Sequence, residues 1–221
     1  MQSNHDFARS NLSDDLADAL RNMIVDGSIA AGERINEVHV SQRLGVSRTP
    51  LREALARLGH EGTVTSVPRI GWFVKPLSLD EFDQLYAIRP LLDPEALRLA
   101  GLPSPERVQQ LERLNAKFAA TEDPDRIIDI DDEFHLLLLA DCPNQILMDF
   151  IHEIIRRTRR YEIALMRDRA NVAVATANHH DILAELRRRD LEGAVAALRR
   201  NLQTGYEPIR KWLEERDGVE S

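Results

Sequence analysis

The 221-residue chain has one cysteine, Cys142, three lysines, Lys75, Lys117 and Lys211, and no uninterrupted apolar run longer than five residues, Leu136 to Ala140. One cysteine excludes an internal disulfide. Five apolar residues fall far short of the roughly 20 that cross a bilayer, so a transmembrane helix is excluded and no membrane partner is expected. The N-terminal stretch MQSNHDFARSNLSDD has no apolar segment of the kind a secretory signal needs, and a reducing cytoplasm is the expected setting. The bias of a disordered chain is missing too, since 43% of residues are hydrophobic and 30% charged. The length suits one large domain or two modest ones.

The formal charge of −8 argues at first against a nucleic-acid partner, but it is unevenly spread. Residues 1–76 hold nine basic and nine acidic side chains, and residues 77–221 hold twenty and twenty-eight. Between residues 34 and 75 seven Arg or Lys face three Glu, a local excess of +4. Arginine dominance suits bidentate contacts to phosphate or carboxylate, and genomic base composition gives the same bias.

In the N-terminal part, Ser13 is placed to cap a helix with Asp14 and Asp15 in its first turn; Leu16, Leu20, Met23 and Ile24 form its apolar stripe, and Gly27 ends it. A short second helix fits residues 37–44. Gly45 and Val46 make a tight turn, Ser47 is placed to cap, and a third helix starts at Arg48 with Pro50 in its first turn. Its buried stripe is Leu51, Ala54, Leu55 and Leu58. Two helices joined by such a turn read as a helix-turn-helix. Arg48 and Arg52 then lie one turn apart, with Thr49 between them, at the end that enters the major groove. Segments 63–67 and 72–75 are β-branched and separated by Pro68, Arg69, Ile70 and Gly71, which predicts a hairpin wing with Arg69 and Lys75 near the DNA backbone or minor groove.

The stretch GERINEVHVSQRLGVSRTPLREALARLGHEGTVTSVPRIGWFV, and above all SRTPLREAL at residues 47–55, resembles the winged helix of the GntR family of bacterial transcription regulators. The resemblance implies DNA contacts from Arg48, Thr49 and Arg52, helped by Arg34, Ser47, Arg69 and Gly71, and a homodimer on a pseudo-palindromic operator. Val38 and His39 depart from the Leu, Lys or Arg more usual there.

Residues 77–221 read as helices throughout. The fold class is therefore mainly α: a winged helix-turn-helix domain with a small β-hairpin over residues 1–76, then an antiparallel helical bundle over 77–221. Six helices are expected, near 78–100, 104–120, 124–141, 144–167, 171–188 and 191–215, with a capping box from Ser78 and Glu81 and distortion of the first by Pro90 and Pro94. Polar residues interrupt its apolar stripes. Asp131 lies with Ile127, Phe134 and Leu138, His135 follows one turn later, His179 leads Ile182, Leu183 and Leu186, and Asn201 follows Ala194 and Leu198. All four should point inward, where a carboxylate needs a partner, an ion or a ligand. Asp131 and His135 alone are also what a buried histidine hydrogen-bonded to a carboxylate would look like. His180 should face solvent.

With the winged helix, this half resembles the FCD ligand-binding domain of the FadR branch, and the likeness spans residues 14 to about 215. It implies a divalent metal of the zinc, nickel or manganese class, held by Asp131, His135, His179 and, where members usually have a further histidine, Asn201. An amide oxygen is the harder and weaker ligand. It also implies that Arg89 enters a pocket and holds an effector carboxylate in a bidentate fork, whereas the sequence alone allows an ordinary surface pair with Asp93. Of Arg156, Arg157, Arg159 and Arg160, at least two must face solvent. The reading is a regulator, acting as a repressor, whose operator affinity follows a small carboxylate metabolite. The alternative is a metal-dependent hydrolase or lyase at Asp131, His135 and His179, which would also need an open metal position and a general base.

Overall fold

The computed structural model describes residues 15–24 and 28–219, so the expected cap at Ser13, Asp14 in the first turn and the stop at Gly27 lie outside the described residues. The chain divides into two compact units, residues 1–77 and 78–221.

In the first unit, helix α1 includes residues 15–24 and buries Leu16, Leu20 and Met23. Helix α2 (Glu37–Leu44) starts at Asn36, whose side chain accepts from the amides of Val38 and His39. It ends at Gly45 in the left-handed conformation, φ 67°, with the amides of Gly45 and Val46 returning to the carbonyls of Gln42 and Ser41. This closes the tight turn before α3 (Arg48–His60), which buries Leu51, Ala54, Leu55 and Leu58. Ser47 has N-cap backbone angles, but its hydroxyl makes no capping bond, contrary to expectation. Strands β1 (Val64–Val67) and β2 (Gly71–Val74) pair antiparallel with Val64 opposite Val74 and Val67 opposite Gly71. The segment before α2 lies along β2: the Ile35 amide donates to the Trp72 carbonyl at 2.8 Å, and Arg34 bridges to Phe73.

The second unit has seven helices among the described residues: α4 (Leu79–Ala100), α5 (Pro105–Ala120), α6 (Pro124–Leu138), α7 (Gln145–Leu165), α8 (Arg169–Arg187), α9 (Leu191–Thr204) and α10 (Tyr206–Val219). Ser104, Asp123, Asn144, Asp168 and Asp190 cap α5 to α9 through their side chains. The single last helix expected over 191–215 is two. Pro208 has no amide hydrogen for the Thr204 carbonyl, so the α-helical ladder breaks there and the chain turns at Gly205. Helix α4 runs through both prolines. Pro94 leaves the Pro90 carbonyl without its intrahelical donor, and Arg199 Nε of α9 donates to it at 3.4 Å. Only half of the expected capping box forms: the Ser78 hydroxyl accepts from the Glu81 amide, but the Ser78 amide donates to the Tyr161 hydroxyl, and the Glu81 carboxylate pairs with Arg157 and Arg160.

The largest apolar cluster here includes Leu97, Leu111, Phe134, Ile151, Ile182, Leu183 and Leu198, from six helices. Phe118, Ile127, Ile128, Ile163 and Val172 form a second. The arginines of α7 are spent on ion pairs: Arg156 with Glu153 near the surface, Arg157 and Arg160 with Glu81 of α4, Arg159 with Asp129 and Asp132 of α6. Arg159 and Arg160 are thereby drawn inward, and none of the four lines the cavity described below.

Candidate functional site

On the first unit, α3 buries its leucine face and turns Arg48, Thr49 and Arg52 to solvent. Arg34, Arg48, Arg52 and Gly71 line one groove together with Glu37 of α2. Ser47, Thr49 and Arg69 are exposed but do not line it; Arg69 occupies the hairpin turn with φ 65°. Gly71 has φ 130°, a backbone conformation that favours glycine, and the Arg34 guanidinium lies beside it, 3.4 Å from where a Cβ would stand. Glu37, absent from the sequence reading, accepts from Arg52 Nε at 2.7 Å.

On the second unit, α4, α6, α7, α8, α9 and α10 line a cavity of about 160 Å³ that is partly open to solvent. Arg89, Asp131, His135, Asn201, Glu162 and Tyr86 stand in its wall, with Leu165, Met166, Val174 and Leu202 as apolar lining and Asn171, Asn178 and Thr204 as neutral polar groups. His179 is fully buried beside His135, with ring centroids 5.5 Å apart. The inward stripe read from the sequence holds for Asp131, His135 and His179, while Asn201 is half-buried at the cavity wall and His180 is exposed.

Asp131 Oδ1 is 3.3 Å from His179 Nε2, and Oδ2 is 3.7 Å from His135 Nε2. Ligands about 2.1 Å from a tetrahedral ion stand about 3.4 Å apart, so these separations suit one divalent ion. The hydrogen-bonding supports the same fit. Asn115 Nδ2 donates to the Thr176 carbonyl at 3.3 Å, which turns Oδ1 toward His179 Nδ1 at 3.1 Å. In the neutral ring Nδ1 then carries the proton, and Nε2 turns its lone pair toward the Asp131 carboxylate. Two buried lone-pair atoms facing each other want a cation between them. Burial, outweighing the pull of Asp131, lowers His135 to about 3 and keeps it neutral. Burial alone would raise Asp131, but its imidazole neighbours and Arg89 hold it down at about 2. A carboxylate beside a neutral imidazole is the protonation state a metal ion needs. The structure therefore contains a possible Asp/His/His metal site.

Arg89 enters the cavity, as the resemblance implied, rather than pairing on the surface. It is not free: Nη1 donates to Glu162 Oε1 at 2.8 Å, and Nε lies 3.5 Å from Asp93 Oδ2. The Tyr86 hydroxyl donates to the same Glu162 oxygen, and Arg89 Nη2 has no hydrogen-bond partner. Burial raises the Glu162 carboxyl against the pull of Arg89, and raises Asp93 to about 6 in the same way. Asn115 and Glu162 were missed in the sequence, yet each interrupts an apolar stripe, Leu111-Asn115-Phe118 and Ile151-Ile155-Glu162.

Comparison with known proteins agrees with this architecture. Residues 12–74 match the family of bacterial regulatory proteins, gntR family, and residues 84–204 match the FCD domain. The HTH-type transcriptional repressor RspR of Escherichia coli (strain K12) is 30% identical over 202 residues, 89% of this chain and 88% of that one. The Nta operon transcriptional regulator of Aminobacter aminovorans is 34% identical over 140 residues, 62% of this chain and 67% of the relative. The solved structure of E. coli McbR/YncC has the same fold, with a TM-score of 0.71 at 24% identity over 91% of this chain and 98% of that one. Nothing in the family or among these relatives supports the hydrolase or lyase alternative. With a winged helix at its N-terminus and an all-helical domain following in sequence, the chain belongs to the GntR family of bacterial regulatory proteins, in the branch that carries an FCD domain, and is a transcriptional regulator.

Proposed function

We propose that the protein is a cytoplasmic, homodimeric repressor whose affinity for a pseudo-palindromic operator is set by a small carboxylate bound in the helical domain. The observation that carries the effector half is the 160 Å³ cavity, in whose wall a buried arginine stands beside a metal-type donor set. A pocket of this volume suits a small metabolite. Asp131, His135 and His179 would hold the divalent ion, with Asn201 as a further oxygen donor, and the ion would supply positive charge for an effector carboxylate. The polarity of the wall favours this arrangement. Asp93, Asp131 and Glu162 surround Arg89, and another anion entering among them would meet net negative charge unless a cation offset it. Arg89 Nη2 offers the carboxylate a donor, and Leu165, Met166 and Leu202 exclude water.

The DNA-facing half is assigned to Arg34, Ser47, Arg48, Thr49, Arg52, Arg69 and Gly71. The exposed Ser47 hydroxyl and the uncapped first turn of α3 suit a phosphate. Exposed Leu91 of α4 and Ile146 and Phe150 of α7 suit a subunit interface. The test is selection from a random duplex pool by the full-length protein, with elemental analysis of the same preparation beside His135→Ala. A twofold-symmetric sequence and about one divalent ion per chain, absent from the variant, are expected. Failure to enrich any sequence would contradict the regulator reading, and lack of metal in both proteins would contradict the metal site.

A further inference from the structure

The groove between α2, α3 and the wing contains a charge that DNA binding alone does not call for. Glu37 opens α2, where the Asn36 cap fixes it through bonds of 3.1 Å from the amides of Val38 and His39. Its side chain is 18% exposed, and Oε2 accepts from Arg52 Nε at 2.7 Å, while the Arg52 side chain is 64% exposed. Stability gives little reason for this pair, because an ion pair with so exposed a partner contributes little to folding. Affinity gives a reason against it, because a carboxylate in a groove meant for a polyanion repels the phosphates. What the pair does is fix direction. An arginine held at Nε loses most of its rotamer freedom, and its far edge keeps two parallel donors, Nη1 and Nη2, which have no acceptor among the described residues. That edge matches the O6 and N7 acceptors of guanine in the major groove. A phosphate contact needs no such bracing, and Arg48, one turn earlier on the same face, makes no ion pair among the described residues.

We propose that Glu37 is a specificity-determining positioning residue: it braces Arg52 to read one guanine in each half-site, at the expense of general DNA affinity. The inference rests on the DNA-binding reading above and is narrower than it. The experiment is selection of full-length wild type, Glu37→Gln and Arg52→Ala on a random duplex pool, followed by affinities for the wild-type selected duplex and its single-base variants at two salt concentrations. Wild type should select a symmetric guanine that Arg52→Ala no longer prefers. Glu37→Gln should keep the rest of the selected sequence but discriminate at that base pair about tenfold less, within the range for loss of a bidentate base contact. Its affinity for unrelated duplex should be equal or higher. In the Arg52→Ala background, Glu37→Gln should change nothing at that position, which separates bracing from a general disturbance of α2. Discrimination by Glu37→Gln equal to wild type, or loss spread evenly over all positions, would overturn the inference and leave DNA binding standing. A wild type that enriches no sequence would overturn DNA binding and this inference with it.

Discussion

His179 Nε2 stands 3.3 Å from Asp131 Oδ1, while Nδ1 of the same ring meets Asn115 Oδ1 at 3.1 Å. At the proposed metal site, Asn115 would orient a ligand without being one. Asn115→Leu should weaken divalent-ion binding about 10- to 100-fold, the usual effect of losing a partner that orients a ligand. Asn115→Asp, which still accepts from Nδ1, should keep the affinity. Titration of metal-free protein against a chromophoric chelator checks both, and equal affinity in wild type and Asn115→Leu would remove Asn115 from the site.

Asp93 supplies a pH test. It is fully buried, neither oxygen has a hydrogen-bond partner, and its folded-state value of about 6 lies above that of an unfolded aspartate. The folded state therefore takes up the proton first as pH falls. This group favours folding most below about pH 4 and loses that contribution as pH rises through 6. Asp93→Asn should raise stability at pH 8, by about 3 kcal/mol for a shift of about two pH units, and add little at pH 4. Denaturant melts at both values decide it, and a difference independent of pH would contradict the assignment.

At the wing, Gly71→Ala would strain a backbone at φ 130° beside the Arg34 guanidinium, and relief of that strain would shift the wing under Arg34. It should lower affinity for the selected duplex about as much as Arg34→Ala does, and the double variant should be no worse than either. Additive losses would show that Gly71 and Arg34 act separately.

Glu162 holds the arginine that the effector is proposed to use. Glu162→Gln removes that competing charge, so the thermal shift from a small carboxylate that stabilises wild type should come at about tenfold lower concentration, for a gain near 1.4 kcal/mol. Weaker binding would mean that Glu162 serves the ligand rather than competing with it.

Much of this was legible in the sequence because period and chemistry coincided. The leucines of α3 fixed which face Arg48, Thr49 and Arg52 present, and the stripes of α6 and α8 placed Asp131, His135 and His179 inward. What escaped depended on partners distant in the chain. Glu162 meets Arg89 across 73 positions, and Asn115 meets His179 across 64, so no local pattern pairs them. The break at Gly205 was readable from Pro208 but was hidden by apolar residues that continue in phase beyond it.

Control of DNA binding by the helical domain is measurable through linkage: a ligand that distinguishes two arrangements shifts operator affinity by its coupling energy, about 1 to 3 kcal/mol, or roughly 5- to 150-fold. The decisive measurement is the affinity of full-length protein for its selected duplex, metal-loaded and chelator-treated, with and without a panel of small carboxylates, beside His135→Ala. At least a fivefold change for wild type, lost in a variant that still binds the duplex normally, is the predicted result. One affinity under all conditions, or an equal response in His135→Ala, would contradict it.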